Sequence, residues 1–136
     1  MELTIRKGSL ADTEDFIHLL QTAKASMDQQ DWFFLDPAEE IRAMMESGAM
    51  ELWVAMDGDR MAAVFDYLRP GLAEFNYGYD LGFTEEELLR VVQMDTAAVH
   101  PDNCYSMNNV LKQGYTVQKQ LPKYGSVRCI MRKDLS

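Results

Sequence analysis

An acidic residue inside an otherwise apolar strand is the first feature of this sequence that could do chemistry. Residues 91–99 read VVQMDTAAV, a pattern typical of a buried strand, and Asp95 lies in it. Burial would raise the pKa of that carboxyl group and suit Asp95 to act as a general base. The plainer interpretation is a carboxylate at the rim of a sheet or bonded to a helix N-terminus. Gln93, on the same predicted face, could orient a substrate or could be a simple polar edge residue.

A second group of candidates lies in the aromatic and glycine-rich residues 72–83, before that strand. Tyr77, Tyr79 and Asp80 could form a pocket for a cationic amine, because ring faces and a carboxylate both attract positive charge. The alternative is an aromatic loop anchored on the core.

Metal-ligating residues do not form a recognisable set. Cys104 and Cys129 make no CxxC pair, and His18 and His100 lie far apart, so the sequence gives no support to a zinc site. The two cysteines are expected to be reduced thiols in a cytoplasmic protein. The N-terminal residues lack the apolar segment of a signal peptide, and no apolar run approaches the roughly 20 residues that span a bilayer.

The charge balance favours some partners over others. The chain has 13 Lys and Arg against 22 Asp and Glu, a net charge of −9, so DNA and RNA are disfavoured as partners. An acidic surface suits a cationic partner such as an amine, but it also serves solubility alone. With 136 residues, of which 47% are hydrophobic, we expect one packed domain spanning residues 1–136.

The elements around these residues alternate between strands and helices. Residues 2–6 predict a first strand, and Ser9 with Asp12 predicts the capping box of a first helix. Asp36 is the predicted N-cap of a second helix, which should end at Gly48. The remaining predicted elements are strands at 51–56 and 61–68 around Asp57-Gly58, a short helix after Thr84, a strand at 91–99, a helix at 103–113, and strands at 115–121 and 126–132.

Five local sequences, in this order, resemble the GNAT N-acetyltransferases. They are Ile5-Arg6 before Ser9 and Asp12, LWVAMDGDRMAAVF from Leu52, DTAAVHP from Asp95, the Asn at 103, and Gly114-Tyr115 at the end of the last helix. The resemblance covers nearly the whole chain. It implies an α+β (mixed α/β) fold with a GNAT-like central mixed sheet flanked by helices, and transfer of an acetyl group from acetyl-CoA to an amine.

The sequence departs from the family pattern at one place. In the family, Val-x-Pro after the fourth strand is followed by a Q/R-x-x-G-x-G/A loop that binds the CoA pyrophosphate, a helix and a fifth strand. Here Val99-His100-Pro101 runs directly into Asp102-Asn103, and no glycine lies between Gly82 and Gly114. The loop, its helix and part of the next strand are therefore missing, and the sheet should be shortened in the middle. We expect acetyl-CoA to bind weakly, because successive backbone N–H groups normally hold the pyrophosphate.

The resemblance also implies roles for particular residues around the cofactor. The strand that should present backbone donors to the acyl group contains Ala97, Ala98 and Val99. Asn103 resembles the family's CoA-contacting Asn, although an Asn there also caps the helix. Ser106 and Lys112 could meet the pantetheine and the phosphates, while a solvated helix face explains Lys112 equally well.

The family's general-acid tyrosine falls at Val110, which has no proton to give. Tyr105, one turn earlier, and Tyr124, in the last hairpin, are possible substitutes for it. Packing or surface stacking is the alternative role of Tyr105, and Tyr124 could be only a loop aromatic.

Two functions remain open at this point. The first is an N-acetyltransferase acting on an amine of a small molecule or peptide, without nucleic-acid or membrane partners. The alternative is a catalytically inactive GNAT-like remnant that serves as a binding or dimerisation module. Because a lost helix uncovers one sheet face and a lost strand leaves an unpaired edge, we expect a homodimer that covers them, formed by exchange of the C-terminal elements.

Overall fold

The chain folds into two compact units, which are described separately. The computed structural model describes residues 2–69, 71, 76–89 and 94–135, without the side chains of Met94 and Asp95. The first unit consists of Met1–Gln30 and Leu35–Arg69, and the second of Asp31–Phe34 and Pro70–Ser136.

The first unit contains a three-stranded antiparallel sheet in the order β1-β2-β3. Its elements are β1 (Leu3–Lys7), α1 (Thr13–Ser26), α2 (Ala38–Ser47), β2 (Met50–Asp57) and β3 (Arg60–Leu68). Side chains on one face of the sheet pack against the two helices, and Phe16, Ile41, Leu52 and Val54 are fully or almost fully buried there. This is the arrangement expected of amphipathic helices packed on an alternating sheet.

The opposite face of this sheet carries large apolar side chains in solvent. The strand register places Leu3, Ile5, Trp53 and Phe65 on the same face. Ile5 is 73% exposed and Phe65 is 63% exposed. Within its own unit, the sheet is therefore covered on one side only.

The ends of the helices in the first unit follow the local signals with one exception. The Ser9 N–H donates to the Asp12 carboxylate at 2.7 Å, as a capping box requires, and Gly48 ends α2 with φ 76°. Asp36 was expected to cap α2, but the N-cap is Pro37, whose extended ψ of 140° delays the helix by one residue. Burial raises the pKa of the Asp36 carboxyl, and the negative charges of Glu40 and Asp66 raise it further.

The second unit has its own three-stranded antiparallel sheet, in the order β4-β6-β5. Its elements are α3 (Tyr77–Asp80), α4 (Glu85–Leu89), β4 (Met94–Val99), α5 (Cys104–Lys112), β5 (Thr116–Lys123) and β6 (Ser126–Asp134). Strand β4 pairs with β6 from Met94 opposite Asp134 to Val99 opposite Cys129. On the other side of β4, no strand pairs within the residues described.

The two faces of the second sheet differ in character. On one face Val99, Cys129 and Met131 form an apolar cluster with Met107 and Val110 of α5. Val110, at the position of the family's general acid, is therefore a packing residue. The other face carries Ser126 and Arg128 of β6 and Lys123 of β5, and we call it the polar face.

The α+β class expected from the sequence is confirmed, with the described strands shared between two antiparallel sheets. One strand, β4, leads directly into α5 where the family pattern implies two strands with a loop and a helix between them. Residues 91–93, predicted to begin this strand, lie outside the described residues. None of the helices in the described part of the chain has the length and apolar character needed to cross a membrane.

Candidate functional site

Most of the polar residues that could act together lie on the polar face of the second sheet. Three parts of the chain meet there: α3, the turn between β5 and β6, and residues 31–34 with the end of β4. The sheet provides the rigid support, and the connecting segments bring side chains from distant parts of the sequence to it.

Tyr124 is held in an uncommon backbone conformation at the tip of the last hairpin. Tyr124 has φ 56° and Gly125 has φ 77°, which is the pair of positive values that a tight hairpin turn requires. Such a value is uncommon for a residue with a large side chain. The Tyr124 ring stacks on Phe34 with centroids 4.2 Å apart, and its hydroxyl donates to the Tyr77 hydroxyl at 3.0 Å. These contacts fix the phenol in place.

The pocket expected for a cationic amine contains an amine of the chain itself. The Lys123 ammonium lies 2.9 Å from the Asp80 carboxylate and 5.5 Å from the ring centroids of both Tyr77 and Tyr124. Both members of the ion pair have side chains that are 19% exposed. Tyr77 and Asp80 therefore form a cation site, and Lys123 occupies it.

Tyr79 points to a different location. Its side chain is 40% exposed and lines an open pocket of about 400 Å³ together with Lys119 and Arg132. Lys119 donates to the Asp80 backbone carbonyl at 3.2 Å, and Arg132 lies 5.7 Å from the centroid of Phe83. Asp80 also lines this pocket and pairs with Lys123 beside Tyr77, so the assignment of Tyr77 and Tyr79 to one substrate pocket stays a prediction.

A series of polar contacts connects the end of β4 with residues 31–34. Nδ1 of His100 accepts the Asp102 N–H at 3.1 Å, and Nε2 lies 3.2 Å from the Asp31 carboxylate. The same carboxylate oxygen accepts the Ser126 hydroxyl at 3.2 Å. Because one ring nitrogen accepts a backbone N–H, the hydrogen bonds assign the proton of a neutral His100 to Nε2. This series was missed in the sequence, since its members lie far apart along the chain.

Asn103 caps a helix, which is one of the two roles expected for it, the other being contact with CoA. Its side-chain oxygen accepts the Ser106 N–H at 3.1 Å and starts α5. The other nearby backbone donors are also engaged: the N–H groups of Asp102, Asn103 and Cys104 bond to His100 Nδ1, His100 O and Asp102 O. Since Pro101 has no N–H, these engaged groups leave no ring of donors there for a pyrophosphate.

The remaining predicted cofactor residues are divided between a strand edge and a solvated helix. Along β4, Ala97 and Ala98 are half-buried and Val99 is buried, and every second residue directs its N–H and C=O away from β6. This edge offers backbone donors and acceptors that no strand takes within the described part of the chain. Ser106 is half-buried with its N–H already bonded, and Lys112 is exposed in the last turn of α5.

The two residues proposed for base catalysis and orientation stay predictions. Asp95 lies in β4 opposite Lys133, which gives its place in the ladder, while its side chain is not described. Gln93 lies outside the described residues. Tyr105, a possible substitute acid, is 80% exposed on α5.

Arg128 is the most unusual polar residue of this face, and no local sequence pattern distinguishes it from other charged residues. It is only 2% exposed, and Nη1 donates to the Trp32 backbone carbonyl at 3.4 Å. Its Nε is buried and has no hydrogen-bond partner among the residues that the structure describes. Among the residues described, no three His, Cys, Asp or Glu side chains are gathered in a way that could hold a metal ion.

Comparisons with known proteins identify the fold. No family model and no curated protein matches the sequence. An acetyltransferase of the GNAT family from Streptococcus pneumoniae is 13% identical, with 99% of this chain and 100% of that one covered at a TM-score of 0.60. The structure of yncA from Salmonella typhimurium with its cofactor acetyl-CoA is 16% identical, with 98% and 94% covered and a TM-score of 0.60.

A ribosomal-protein-alanine N-acetyltransferase from Brucella melitensis is 17% identical, with 97% of this chain and 99% of that one covered at a TM-score of 0.59. At these low identities, the likeness concerns the fold and not the substrate. The resemblance seen in the sequence is confirmed at the level of the fold by these structures. The chain has the fold of the GNAT acetyltransferases.

Proposed function

We propose that this protein transfers an acetyl group from acetyl-CoA to an amine of a small molecule or peptide. The single observation that carries the proposal is the unpaired edge of β4, which leads directly into the Asn103-capped helix α5 in a GNAT fold. An unpaired strand edge presents backbone donors and acceptors in a fixed direction, as recognition of an extended pantetheine and a thioester carbonyl requires.

The transfer requires an oxyanion site and two proton transfers, and residues of this chain are candidates for each. Acetyl-CoA supplies an acyl group activated as a thioester. Backbone N–H groups of Ala97, Ala98 or Val99 at the free edge would stabilise the charge that develops on the carbonyl oxygen. Asp95 would take the proton that the attacking amine loses if the acyl group lies at the start of β4, whereas Tyr124 would give a proton to the departing thiolate if it lies at the hairpin end. The register of β4 and β6 places these two residues at opposite ends of the sheet, so only one of them acts at a given site and the other proton is exchanged with water. The Tyr77 hydroxyl, 3.0 Å from that of Tyr124, orients the phenol.

The affinity for the cofactor should be low. The backbone N–H groups of residues 102–104 and 106 are bonded within the chain, and Asp102 adds a negative charge beside them. A phosphate would have to displace these bonds and approach a carboxylate. The proposed enzyme would therefore depend on contacts to the pantetheine and acetyl portions.

The activity can be tested by measuring thiol release from acetyl-CoA in the presence of a panel of amines. Cys104 is exposed and would react with the thiol reagent, so the assay should use Cys104→Ser and the wild type side by side. The proposal expects amine-dependent release by both proteins. Release no faster than without protein, for every amine, would contradict it and favour the inactive binding module.

The role of Tyr124 can be tested by removing its hydroxyl alone. Tyr124→Phe keeps the ring that stacks on Phe34 and should lower kcat by about 100-fold if the phenol is the general acid. Tyr105→Phe tests the other candidate acid, whose ring is 80% exposed on α5. A kcat of Tyr124→Phe equal to that of the wild type would remove Tyr124 from the mechanism.

The proposal includes a homodimer, which the exposed face of the first sheet supports. Ile5, Trp53 and Phe65 lie in solvent on one face, and an apolar patch of this kind usually marks an interaction surface. Light scattering at tens of micromolar should give twice the monomer mass, and Phe65→Lys should shift the population toward monomer. A monodisperse wild-type monomer would contradict this part of the proposal.

A further inference from the structure

Arg128 carries a charge that the described structure does not neutralise. A guanidinium stays protonated under all ordinary conditions, and a buried charge is costly unless it is paired and hydrogen-bonded. Arg128 is 2% exposed, and its one hydrogen bond in the described part of the chain is to the Trp32 carbonyl. No described carboxylate lies at ion-pair distance from it.

The nearest candidate for a partner is already engaged elsewhere. Asp31 precedes Trp32 in the chain, but its carboxylate oxygen lies 3.2 Å from Nε2 of His100 and accepts the Ser126 hydroxyl at 3.2 Å. Asp31 is also largely solvated, with its side chain 53% exposed. Its charge is therefore directed to the end of β4 and the start of β6, and none of the described carboxylates is left for the guanidinium.

The N–H donors of Arg128 that have no described partner indicate which ligand would pair with the guanidinium. Nη1 is bonded, whereas Nε is buried and unpaired. Nε and Nη2 lie on the same edge of the planar group and can donate two parallel hydrogen bonds to the two oxygens of a carboxylate. A singly charged planar group matches one guanidinium, whereas a doubly charged phosphate would bring excess charge close to Asp31.

We propose that Arg128 is the carboxylate-binding residue of a ligand site on the polar face of the second sheet, and that its ligand is a small carboxylate. The bound carboxylate supplies the anion that the described residues do not provide and takes the side-on edge of the guanidinium. The inference stands on the burial and bonding of Arg128 and does not require the protein to transfer acetyl groups.

The experiment follows the Nε–H resonance of Arg128 in the full-length 15N-labelled protein, assigned through the backbone. Sodium acetate is titrated at constant ionic strength, with acetamide and sodium chloride as matched probes that lack the carboxylate. We expect a saturable shift with acetate, with a Kd on the order of millimolar or tighter, and none with acetamide or chloride. An Nε–H that does not move, or that moves equally with all three, overturns the proposal.

A pair of variants tests the same site without relying on the assignment. Arg128→Lys keeps the positive charge but loses the two-pronged edge, and it should weaken acetate binding by about tenfold or more. Arg132→Lys is the matched control on the same strand and face, where the guanidinium is already 2.9 Å from Asp134. Equal weakening by both variants, or by neither, would overturn the assignment to Arg128. The wild-type titration remains decisive if Arg128→Lys does not fold.

Discussion

Two buried charged residues, one in each unit, differ in how completely their charged groups are hydrogen-bonded. Asp12 in the first unit is 7% exposed and accepts two hydrogen bonds from Arg6, at 2.7 and 2.9 Å, and one from the Ser9 N–H at 2.7 Å. Arg128 in the second unit is 2% exposed and has one long bond to a carbonyl. The first charge is fully satisfied by its own unit, whereas the second is not.

This difference separates structural polar groups from those available for a ligand. The bonds to Asp12 join the end of β1 to the start of α1 and hold the first unit together. The second unit also contains the stacked tyrosine at a positive φ, the Lys123 ammonium beside Asp80 and the unpaired edge of β4. Strained or unsatisfied groups are more typical of functional sites than of structural ones.

The largest effect is expected at Asp12. Asp12→Ala removes the acceptor for Arg6 and the capping bond to Ser9, and should lower the free energy of unfolding by about 2 to 3 kcal/mol. The measurement is the urea midpoint followed by circular dichroism. A loss smaller than about 1 kcal/mol would mean that this network is not the structural feature described here.

The same carboxylate predicts how stability depends on pH. The hydrogen bonds from Arg6 hold the pKa of Asp12 well below its usual range, against the opposing effect of burial, and those from Ser9 lower it further. A lowered pKa contributes stability above the usual carboxyl pKa, and that contribution is lost as acid protonates the folded state. The unfolding free energy of the wild type should therefore fall as pH drops below about 4, and Asp12→Asn should show a shallower fall.

Substitution of Arg128 should leave the free energy of unfolding unchanged or raise it, whereas substitution of Asp12 should lower it. Arg128→Met replaces a buried charge without a partner by an apolar side chain of similar length, so the unfolding free energy should stay unchanged or rise by about 1 kcal/mol. The gain is limited because the Trp32 carbonyl loses its donor. A loss of more than about 2 kcal/mol in the same urea experiment would show that Arg128 is structural, like Asp12.

Tyr124 should have a smaller effect on stability. Tyr124→Phe removes the hydroxyl bonded to Tyr77 and keeps the stacking on Phe34, so the expected loss is about 1 kcal/mol. Tyr105→Phe provides the reference for an exposed phenol. If both variants unfold at the same urea concentration, the tyrosine pair does not stabilise the second unit.

The smallest effect is expected for a surface ion pair of the first unit. Arg42 bonds to Glu14 at 2.7 and 3.0 Å, but the side chains are 43% and 69% exposed. Glu14→Gln should leave the urea midpoint unchanged within error, because solvent screens such pairs. A loss as large as that of Asp12→Ala would show that burial is not what distinguishes the two residues.

Local signals in the sequence predicted most of the elements. Alternation predicted the β2–β3 hairpin, and the capping pattern of Ser9 and Asp12 predicted the start of the first helical segment. Asn103 was expected at the start of α5 and caps it. These predictions depend on interactions between neighbours in the chain, which a single sequence displays directly.

The site could be predicted only in part, because its contacts connect residues far apart in the chain. Tyr77 and Asp80 were selected as an amine site, but nothing local indicates that Lys123 fills it. Apolar residues are usually buried and charged residues exposed, but β6 has the reverse at two neighbouring positions. Arg128 was missed for this reason, because Val127 is 41% exposed while Arg128 is buried. Burial of a charge depends on the whole fold and not on the sequence around it.

The most direct test of the proposed cofactor site compares two acyl donors by calorimetry. Acetyl-CoA and S-acetylpantetheine share the portion that would lie along β4, but only acetyl-CoA has the pyrophosphate. We expect both to bind weakly, with Kd values within about threefold of each other, because the N–H groups of residues 102–104 and 106 are already bonded within the chain. Micromolar binding of acetyl-CoA, about 100-fold tighter than that of S-acetylpantetheine, would contradict this account.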